Sequence, residues 1–260
     1  MADQTVPLPA HGRRLPRRAV RRWPRRLALA VAALLALVVA AAAAIMLITP
    51  SVGNAWHLAR AQARFHHSAF PGPDVPPRFA AALIATEDHR FASEPGVDPL
   101  AIARVVLSGL IGGGDQGGAT LYQQLAKVLY TPNKGGLPIE TEQVALAIKL
   151  KFSYTEEQIL RMYADVVYFG HGFYGLQAAS CGYFGRPASR LSWPQSAVLA
   201  GLVQAPSAYD PLEHPALARS REQHVISRLV ATGKLTQVQA NAALAVPMER
   251  LVGGAGGCRA

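Results

Sequence analysis

The chain has 260 residues and a formal net charge of +10, of which +7 comes from eight arginines and one aspartate within its first 26 positions. Such a block of like charges beside an apolar segment is typical of a membrane-topology determinant, so the net charge does not indicate a nucleic-acid-binding protein. The two cysteines, Cys181 and Cys258, are too few and too far apart along the chain to indicate a disulfide scaffold or a metal site. We expect Cys181 to be a packing residue in a helix.

The first predicted element is a transmembrane helix over residues 27–49, which hold 23 residues without a charge. A helix of this length, at about 1.5 Å per residue, crosses a bilayer core of about 30 Å. A cleaved signal peptide is the alternative, but its apolar part is usually only about 7–15 residues long. The arginines before the helix predict a cytoplasmic tail over residues 1–26, with the domain after residue 50 outside the cytoplasmic membrane.

The remaining chain predicts a single all-α domain over residues 76–250, because its apolar positions recur at helical spacing and no strand alternation or repeat is found. Capping-box pairs begin three of the predicted helices, and they are Thr155 with Gln158, Ser192 with Gln195, and Thr236 with Gln239. Asp98 with Pro99 predicts the start of a further helix. Residues 50–75 are expected to be a juxtamembrane linker and residues 251–260 a flexible tail.

Two carboxylates, Glu87 and Asp88, end the first predicted helix of this domain. A carboxylate beside an apolar helix face and near a helix C-terminus resists ionisation, so Glu87 is expected to have a raised pKa. A raised pKa suits a general base. The ordinary alternative is a solvated helix end, since acidic pairs are common on protein surfaces.

A glycine-rich loop, residues 112–118, leads into another predicted helix that carries Lys127 about two turns from its start. Glycines let backbone N–H groups approach an anion, and a helix N-terminus adds positive potential. No GK[ST] sequence follows, so the loop is not a nucleotide-binding P-loop, and an ordinary helix start is the alternative. Gln123 and Gln124 are candidates for hydrogen bonds to a sugar, or for a solvated helix face.

Four segments together resemble the family-51 peptidoglycan glycosyltransferases over roughly residues 70–230, and they read TEDHRFASEPGVD, GGATLYQQLAK, ILRMYADVVYFGHGFYGLQAASCGYFG and LVQAPSAYDP. The resemblance implies a mainly α, lysozyme-like domain that polymerises lipid II into glycan strands and releases undecaprenyl diphosphate. It implies lipid II, the nascent strand and the membrane as partners, with no nucleic acid, and leaves other cell-wall synthases open as partners. No cofactor or metal-binding residue is implied with certainty, and a divalent cation, Mg²⁺ or Mn²⁺, is left open.

Carried over by position, the resemblance makes Glu87 the catalytic base and Lys127 the cation that stabilises the departing diphosphate. The aromatic–glycine block at residues 168–175 is implied to be scaffold. The remaining matched residues are implied to contact substrate, and they are Asp88, Phe91, Gly117, Gly118, Thr120, Gln123, Gln124 and Gln143.

The third block of the family, Arg-Lys-x-x-Glu, falls on residues 139–143, so Gln143 stands where the family has a second carboxylate. The cationic pair of that block is also missing. Glu142 is an alternative carboxylate, and the lysines that could supply charge are Lys134, Lys149 and Lys151. The alternative function is therefore a weak or inactive regulator that binds lipid II or glycan. A hydrolase is disfavoured because no second acid is identified, and no S-x-x-K and KTG motifs indicate a transpeptidase.

Overall fold

The structure is a computed structural model that describes residues 23–93, 119–248 and 258. It divides into two units, residues 1–48 and 49–260. Several sequence predictions lie outside the described residues. They concern the tail before Trp23, the helix expected after Asp98, the glycines Gly117 and Gly118, and residues 249–257.

The first unit contains helix α1, Trp23–Ile48. Its segment Arg25–Ile48 is long and apolar enough to cross a membrane. Large apolar side chains such as Leu29 and Val39 are exposed on it, 70% and 67% respectively. A helix that is apolar all round and exposed is typical of a membrane span, and the span over residues 27–49 stays a prediction.

The second unit is built from helices, and the described part of the chain contains no named strand, only an isolated bridge between Tyr168 and Tyr174. The mainly α prediction is therefore confirmed. The helices are α2 (Ala55–Phe65), α3 (Pro77–Glu87), α4 (Leu121–Tyr130), α5 (Leu137–Ser153), α6 (Glu156–Val166), α7 (Leu176–Phe184), α8 (Trp193–Leu202), α9 (Pro215–Ala231) and α10 (Gln237–Leu244), with a 3₁₀ turn at Ala188–Arg190.

Capping boxes fix the starts of four helices. The three predicted from the sequence are confirmed at α6, α8 and α10. A fourth begins α4, where the Thr120 hydroxyl accepts from the Gln123 N–H and the Gln123 side chain accepts from the Thr120 N–H. The same T-x-x-Q spacing marks it in the sequence, so this cap was predictable and was missed.

The core centres on α8, which is buried from Pro194 to Leu202. Helices α3 and α9 pack on α8 and on each other, whereas α4 packs against α5 and α6. The aromatic–glycine block before α7 supports this core: Phe169 is fully buried and its carbonyl accepts from the Tyr183 hydroxyl at 3.0 Å. Hydrogen bonds accepted by Glu87, the last residue of α3, connect this end of the helix to α9 and α4.

Residues 50–75, which the sequence predicts to be a loose linker, are instead part of the second unit. Helix α2 lies within them and packs against α6, with its alanines at positions 55, 59 and 63 buried. Alanines spaced by four residues form a narrow apolar stripe that allows two helices to pack closely. The residues between them are mostly polar, so the average composition of the segment does not indicate a buried helix. The segment before α2 is also held, because the Tyr154 hydroxyl donates to the Val52 carbonyl at 2.9 Å.

A disulfide joins Cys181 of α7 to Cys258, with 5.4 Å between the two Cα atoms. The prediction that Cys181 is only a packing residue is wrong, and the chain spacing that argued against a disulfide scaffold did not exclude this single bond. Their separation of 77 residues along the chain does not limit their distance in the fold. The bond attaches the C-terminal tail covalently to α7 at this point.

Candidate active site

Glu87 is the last residue of α3, and both of its carboxylate oxygens accept hydrogen bonds. Oε1 accepts from Nη2 of Arg221 on α9 at 2.8 Å, and Oε2 accepts from Nε2 of Gln124 on α4 at 3.3 Å. The Glu87 side chain is 12% exposed. The carboxylate is therefore oriented by two helices and largely shielded from water.

Burial raises the pKa of Glu87 above its ordinary value, and the neighbouring Asp88 charge adds to this. The Arg221 charge and the hydrogen bonds from Gln124 and Arg221 act in the opposite direction without cancelling the rise. The predicted raised pKa is thus confirmed, with burial as its main cause. The helix dipole invoked from the sequence is opposed by Arg228, whose Nε donates to the Ala85 carbonyl at 3.1 Å near the end of α3.

Tyr163 fixes the orientation of the Gln124 amide. The buried Tyr163 hydroxyl donates to Oε1 of Gln124 at 2.6 Å. Because a carboxylate only accepts hydrogen bonds, Nε2 is the amide atom that faces Glu87, and Oε1 is left for the tyrosine. A directional chain therefore runs from Tyr163 through Gln124 to Glu87.

Several predicted substrate-binding residues hold the junction between α3 and α4. Oδ2 of Asp88 accepts from the Leu121 N–H at 3.0 Å, which satisfies a donor at the start of α4. Phe91 is 1% exposed and stacks on Tyr122, with 4.9 Å between ring centroids. Thr120 and Gln123 form the capping box of α4. Phe91 is buried, and the side-chain oxygens of the other three residues already accept hydrogen bonds within the protein, so none of the four is well placed to contact substrate directly. Their substrate-binding roles stay predictions.

Helix α4 places Gln124 and Lys127 on one face, three residues apart. Lys127 is exposed, and among the described residues no carboxylate lies within ion-pair distance of its Nζ. Thr131, one turn further, accepts a hydrogen bond at 2.8 Å from Nε2 of Gln143 on α5. Gln143 therefore lies beside the C-terminal end of α4, on the side of Lys127 away from Gln124.

The three lysines proposed to supply charge near Gln143 differ in their contacts. Lys149 donates to the carbonyls of Thr49 and Pro50 at 2.7 and 3.0 Å. Lys151 pairs with Glu156 at 3.2 Å. Lys134 is exposed in the turn after α4, where its N–H donates to the Thr131 carbonyl. Of the three, Lys134 is the one whose contacts place it next to the Gln143–Thr131 pair.

Arg221, like Tyr163, is a site residue that sequence reasoning missed. It lies 134 residues after Glu87, and no local pattern marks it. Its Nε donates to the Gly201 carbonyl at 3.2 Å, and a Cβ built at Gly201 would lie 2.7 Å from Cγ of Arg221. The absence of a side chain at Gly201 therefore allows Arg221 to approach α8 and reach Glu87.

Within the described ranges, no group of three or more His, Cys, Asp or Glu side chains is arranged to hold a metal ion. Glu87 and Asp88 are adjacent carboxylates, but their oxygens are hydrogen-bonded to Arg221, Gln124 and the Leu121 N–H. The donor set of this site thus does not by itself fit a resident metal.

Comparison with known proteins gives a consistent match. The family model described as Transglycosylase matches residues 54–230. Penicillin-binding protein 1A of Streptococcus oralis is 37% identical over 179 residues, which are 67% of this chain and 28% of the relative. Penicillin-binding protein 1F of Bacillus subtilis is 35% identical over 168 residues, covering 64% and 24% of the two chains. Penicillin-binding protein 1A of Escherichia coli is 38% identical over 166 residues, covering 64% and 20%.

Among solved structures, penicillin-binding protein 1A from Haemophilus influenzae matches with a TM-score of 0.41 and 22% identity, over 67% of this chain and 16% of that chain. The chain spans about a quarter of the length of the curated relatives it matches. The matched region contains the whole Glu87, Gln124, Tyr163 and Arg221 cluster.

Proposed function

Because the chain belongs to the transglycosylase family, we propose that it is a peptidoglycan glycosyltransferase that polymerises lipid II into glycan strands and releases undecaprenyl diphosphate. The observation that carries this proposal is the Glu87 carboxylate, held by Arg221 and Gln124 in a shielded position with a raised pKa. A carboxylate with these properties is fitted to accept a proton near neutral pH.

In the proposed reaction, Glu87 accepts the proton of the 4-hydroxyl of the acceptor GlcNAc. That oxygen forms a bond to the anomeric carbon of the MurNAc at the end of the growing strand, and the bond from this carbon to undecaprenyl diphosphate breaks. The hydrogen bonds from Arg221 and Gln124 orient the carboxylate before the proton moves. Tyr163 does not contact Glu87 itself, but its hydroxyl holds the Gln124 amide that donates to Glu87.

Lys127 is proposed to stabilise the negative charge that develops on the departing diphosphate. Its exposed position on the same face of α4 as Gln124 supports this role. The backbone amides of Gly117 and Gly118 are proposed to share it, as the sequence predicts. A divalent cation, Mg²⁺ or Mn²⁺, would have to be held largely by the diphosphate itself, and no step is assigned to it.

The proposed location is the outer face of the cytoplasmic membrane, with α1 as a single-pass anchor and the N-terminus in the cytoplasm. The apolar α1 and the arginines that precede it support this orientation. The Cys181–Cys258 disulfide supports it independently, because disulfides persist mainly in oxidising compartments. Other cell-wall synthases are proposed as partners on the resemblance alone.

A second candidate function is a regulator that binds lipid II or glycan with little or no turnover. One observation favours it: Gln143, where the family has a carboxylate, is a neutral amide that donates to Thr131. An amide cannot carry the negative charge of the residue it replaces.

The test is polymerisation of lipid II by the purified full-length protein in detergent, followed by separation of the glycan products. We expect Glu87→Gln to lose polymerisation while its helical circular dichroism is retained. Glu213→Gln, which changes an exposed glutamate in the same way, should keep the rate of the unmodified protein. Full activity in Glu87→Gln would rule out the proposed base, and lipid II binding without any turnover in the unmodified protein would favour the regulator.

A further inference from the structure

A cavity lies near the N-terminal end of α3, at the opposite end of that helix from Glu87. Its volume is about 520 Å³. Arg78 of α3 lines it, nine residues before Glu87, which corresponds to roughly 13 Å along a helix axis. The other walls come from the start of α8, the turn before it, and α10 with the segment that follows. None of the residues assigned to the candidate active site lines this cavity.

Two arginines, Arg78 and Arg186, give the cavity a positive charge, and no Asp or Glu is among the described residues that line it. The Arg78 guanidinium is held from one side, since its Nη1 donates to the Leu191 carbonyl at 3.2 Å. The backbone of Arg186 is held as well, because its carbonyl accepts from the hydroxyl of the fully buried Ser180 at 2.7 Å. The Arg78 guanidinium is therefore held in place, whereas the exposed Arg186 side chain extends from a fixed backbone position.

Gln195 adds a neutral donor to the same cavity. Its Oε1 accepts from both the N–H and the hydroxyl of Ser192 at 3.1 Å, so its Nε2 points the other way. The residue as a whole is 5% exposed. Gln239 repeats the arrangement, because its Oε1 accepts from the N–H and hydroxyl of Thr236. The capping boxes of α8 and α10 thus each leave an amide donor, Nε2, that can reach a ligand in the cavity.

The rest of the wall is apolar. Trp193 at the start of α8 lines it together with Pro194, Ala243 and Val246. A bare inorganic anion would leave this surface in contact with water, whereas a sugar ring can cover an indole with its apolar face. The lining therefore complements a molecule that joins a carboxylate to a ring.

We propose that this cavity binds a saccharide that carries a carboxylate, with the carboxylate between Arg78 and Arg186 and the ring against Trp193. The ligand class follows from the lining of the cavity alone. Its identification with a unit of the glycan strand rests on the proposed function, in which case the cavity would hold substrate or product at a distance from the base.

The experiment titrates the full-length protein in detergent with N-acetylmuramic acid, measured by calorimetry. N-acetylglucosamine, which lacks the lactyl carboxylate, is the matched ligand control and should bind at least about tenfold more weakly. Arg186→Gln should weaken binding of the acidic sugar roughly tenfold to a hundredfold. Arg190→Gln, an exposed arginine of the same segment that does not line the cavity, should leave it unchanged.

A second variant keeps the test independent of charge. Ala242→Tyr, at an exposed position of the lining, should fill the cavity and prevent binding. Equal binding of the two sugars would overturn the proposal, as would an affinity unchanged in both Arg186→Gln and Ala242→Tyr, or displacement of the acidic sugar by an equal concentration of inorganic phosphate. If the acidic sugar binds but lipid II is not polymerised, the binding proposal is supported and the proposed function is wrong. If lipid II is polymerised but the acidic sugar does not bind, the proposed function is supported and the binding proposal is wrong.

Discussion

Arg221 donates a hydrogen bond from Nη2 to Oε1 of Glu87 at 2.8 Å, although 134 residues separate the two in the chain. Both side chains are nearly buried, at 11% and 12% exposed. The Arg221 charge lowers the Glu87 pKa, while burial raises it by more. The basicity of Glu87 therefore depends on how closely Arg221 approaches, and this dependence should be visible in the pH profile of polymerisation.

The first prediction concerns Gly201→Ala. The new Cβ would lie 2.7 Å from Cγ of Arg221, so the arginine must move and its contact with Glu87 weakens. With less positive charge nearby, the Glu87 pKa should rise further. A general base acts in its ionised form, so the acid limb of the pH–rate profile should move to higher pH. The measurement is the initial rate of lipid II polymerisation between pH 5 and 9.

Gly135→Ala is the matched control, because a Cβ at Gly135 meets no atom within 4 Å and its φ is not positive. That variant should keep the pH profile of the unmodified protein. An acid limb that stays in place in Gly201→Ala, with the arginine shown to be displaced, would mean that Arg221 does not set the Glu87 pKa.

The second prediction concerns Tyr163→Phe. Without the 2.6 Å hydrogen bond from Tyr163, the Gln124 amide is held only through Nε2, which donates to the Ala119 carbonyl at 3.2 Å and to Glu87 at 3.3 Å, so its hydrogen bond to Glu87 should weaken. The hydrogen bond from Gln124 lowers the Glu87 pKa, so its loss should raise that pKa and move the acid limb to higher pH. The rate at neutral pH should fall by about tenfold, which corresponds to one hydrogen bond of roughly 1–1.5 kcal/mol.

Tyr183→Phe separates this effect from simple loss of stability. It also removes a buried hydroxyl, one that donates to the Phe169 carbonyl at 3.0 Å. Both variants should lower the free energy of unfolding by about 1–3 kcal/mol. Only Tyr163→Phe should shift the pH profile, and an equal shift in Tyr183→Phe would contradict the proposed chain from Tyr163 to Glu87.

The third prediction concerns Gln143→Glu. The Thr131 hydroxyl can rotate to donate to a carboxylate, so the fold should tolerate the change. If the protein is a weakened enzyme, restoring the negative charge should raise the polymerisation rate, since one transition-state electrostatic contact is commonly worth about 10²–10³ in rate. If it is a binding module, turnover should stay undetectable while lipid II still binds.

Glu142→Gln tests whether the neighbouring acid has taken over. In that variant a weakened enzyme should keep its low rate. A high rate in the unmodified protein that falls in both Glu142→Gln and Gln143→Glu would assign the second carboxylate to Glu142 and make the placement of the third block wrong.

The fourth prediction concerns the disulfide. Cys258→Ser should lower the free energy of unfolding by about 2–4 kcal/mol, because the bond closes a segment of 77 residues and restricts the unfolded chain. Cys181→Ser, and the variant with both changes, should show the same loss, since all three remove one and the same bond. The measurement is thermal unfolding without reductant. A melting temperature unaffected by any of the three would show that the bond does not form in solution.

Local features could be predicted from the sequence because they depend on residues that lie within a turn or two of each other. The α3 segment ends at Glu87 as predicted, and the three capping boxes at α6, α8 and α10 form between residues three apart. The raised pKa of Glu87 was predictable in direction, since the apolar face beside it is local. Its main cause, burial, depends on the packing of α9 and α4.

By itself, the sequence determined the long apolar helix α1, the helical class of the domain and the candidate base, because each follows from short-range composition and periodicity or from one matched segment. Tertiary structure alone decided which side chains surround that base. Arg221 and Tyr163 reach Glu87 and Gln124 only after α9 and α6 pack, and Phe91 is buried on Tyr122 rather than placed at a surface. The Cys181–Cys258 bond has the same origin. Contacts across tens of residues are fixed by how helices pack against one core, and no spacing along the chain encodes that distance.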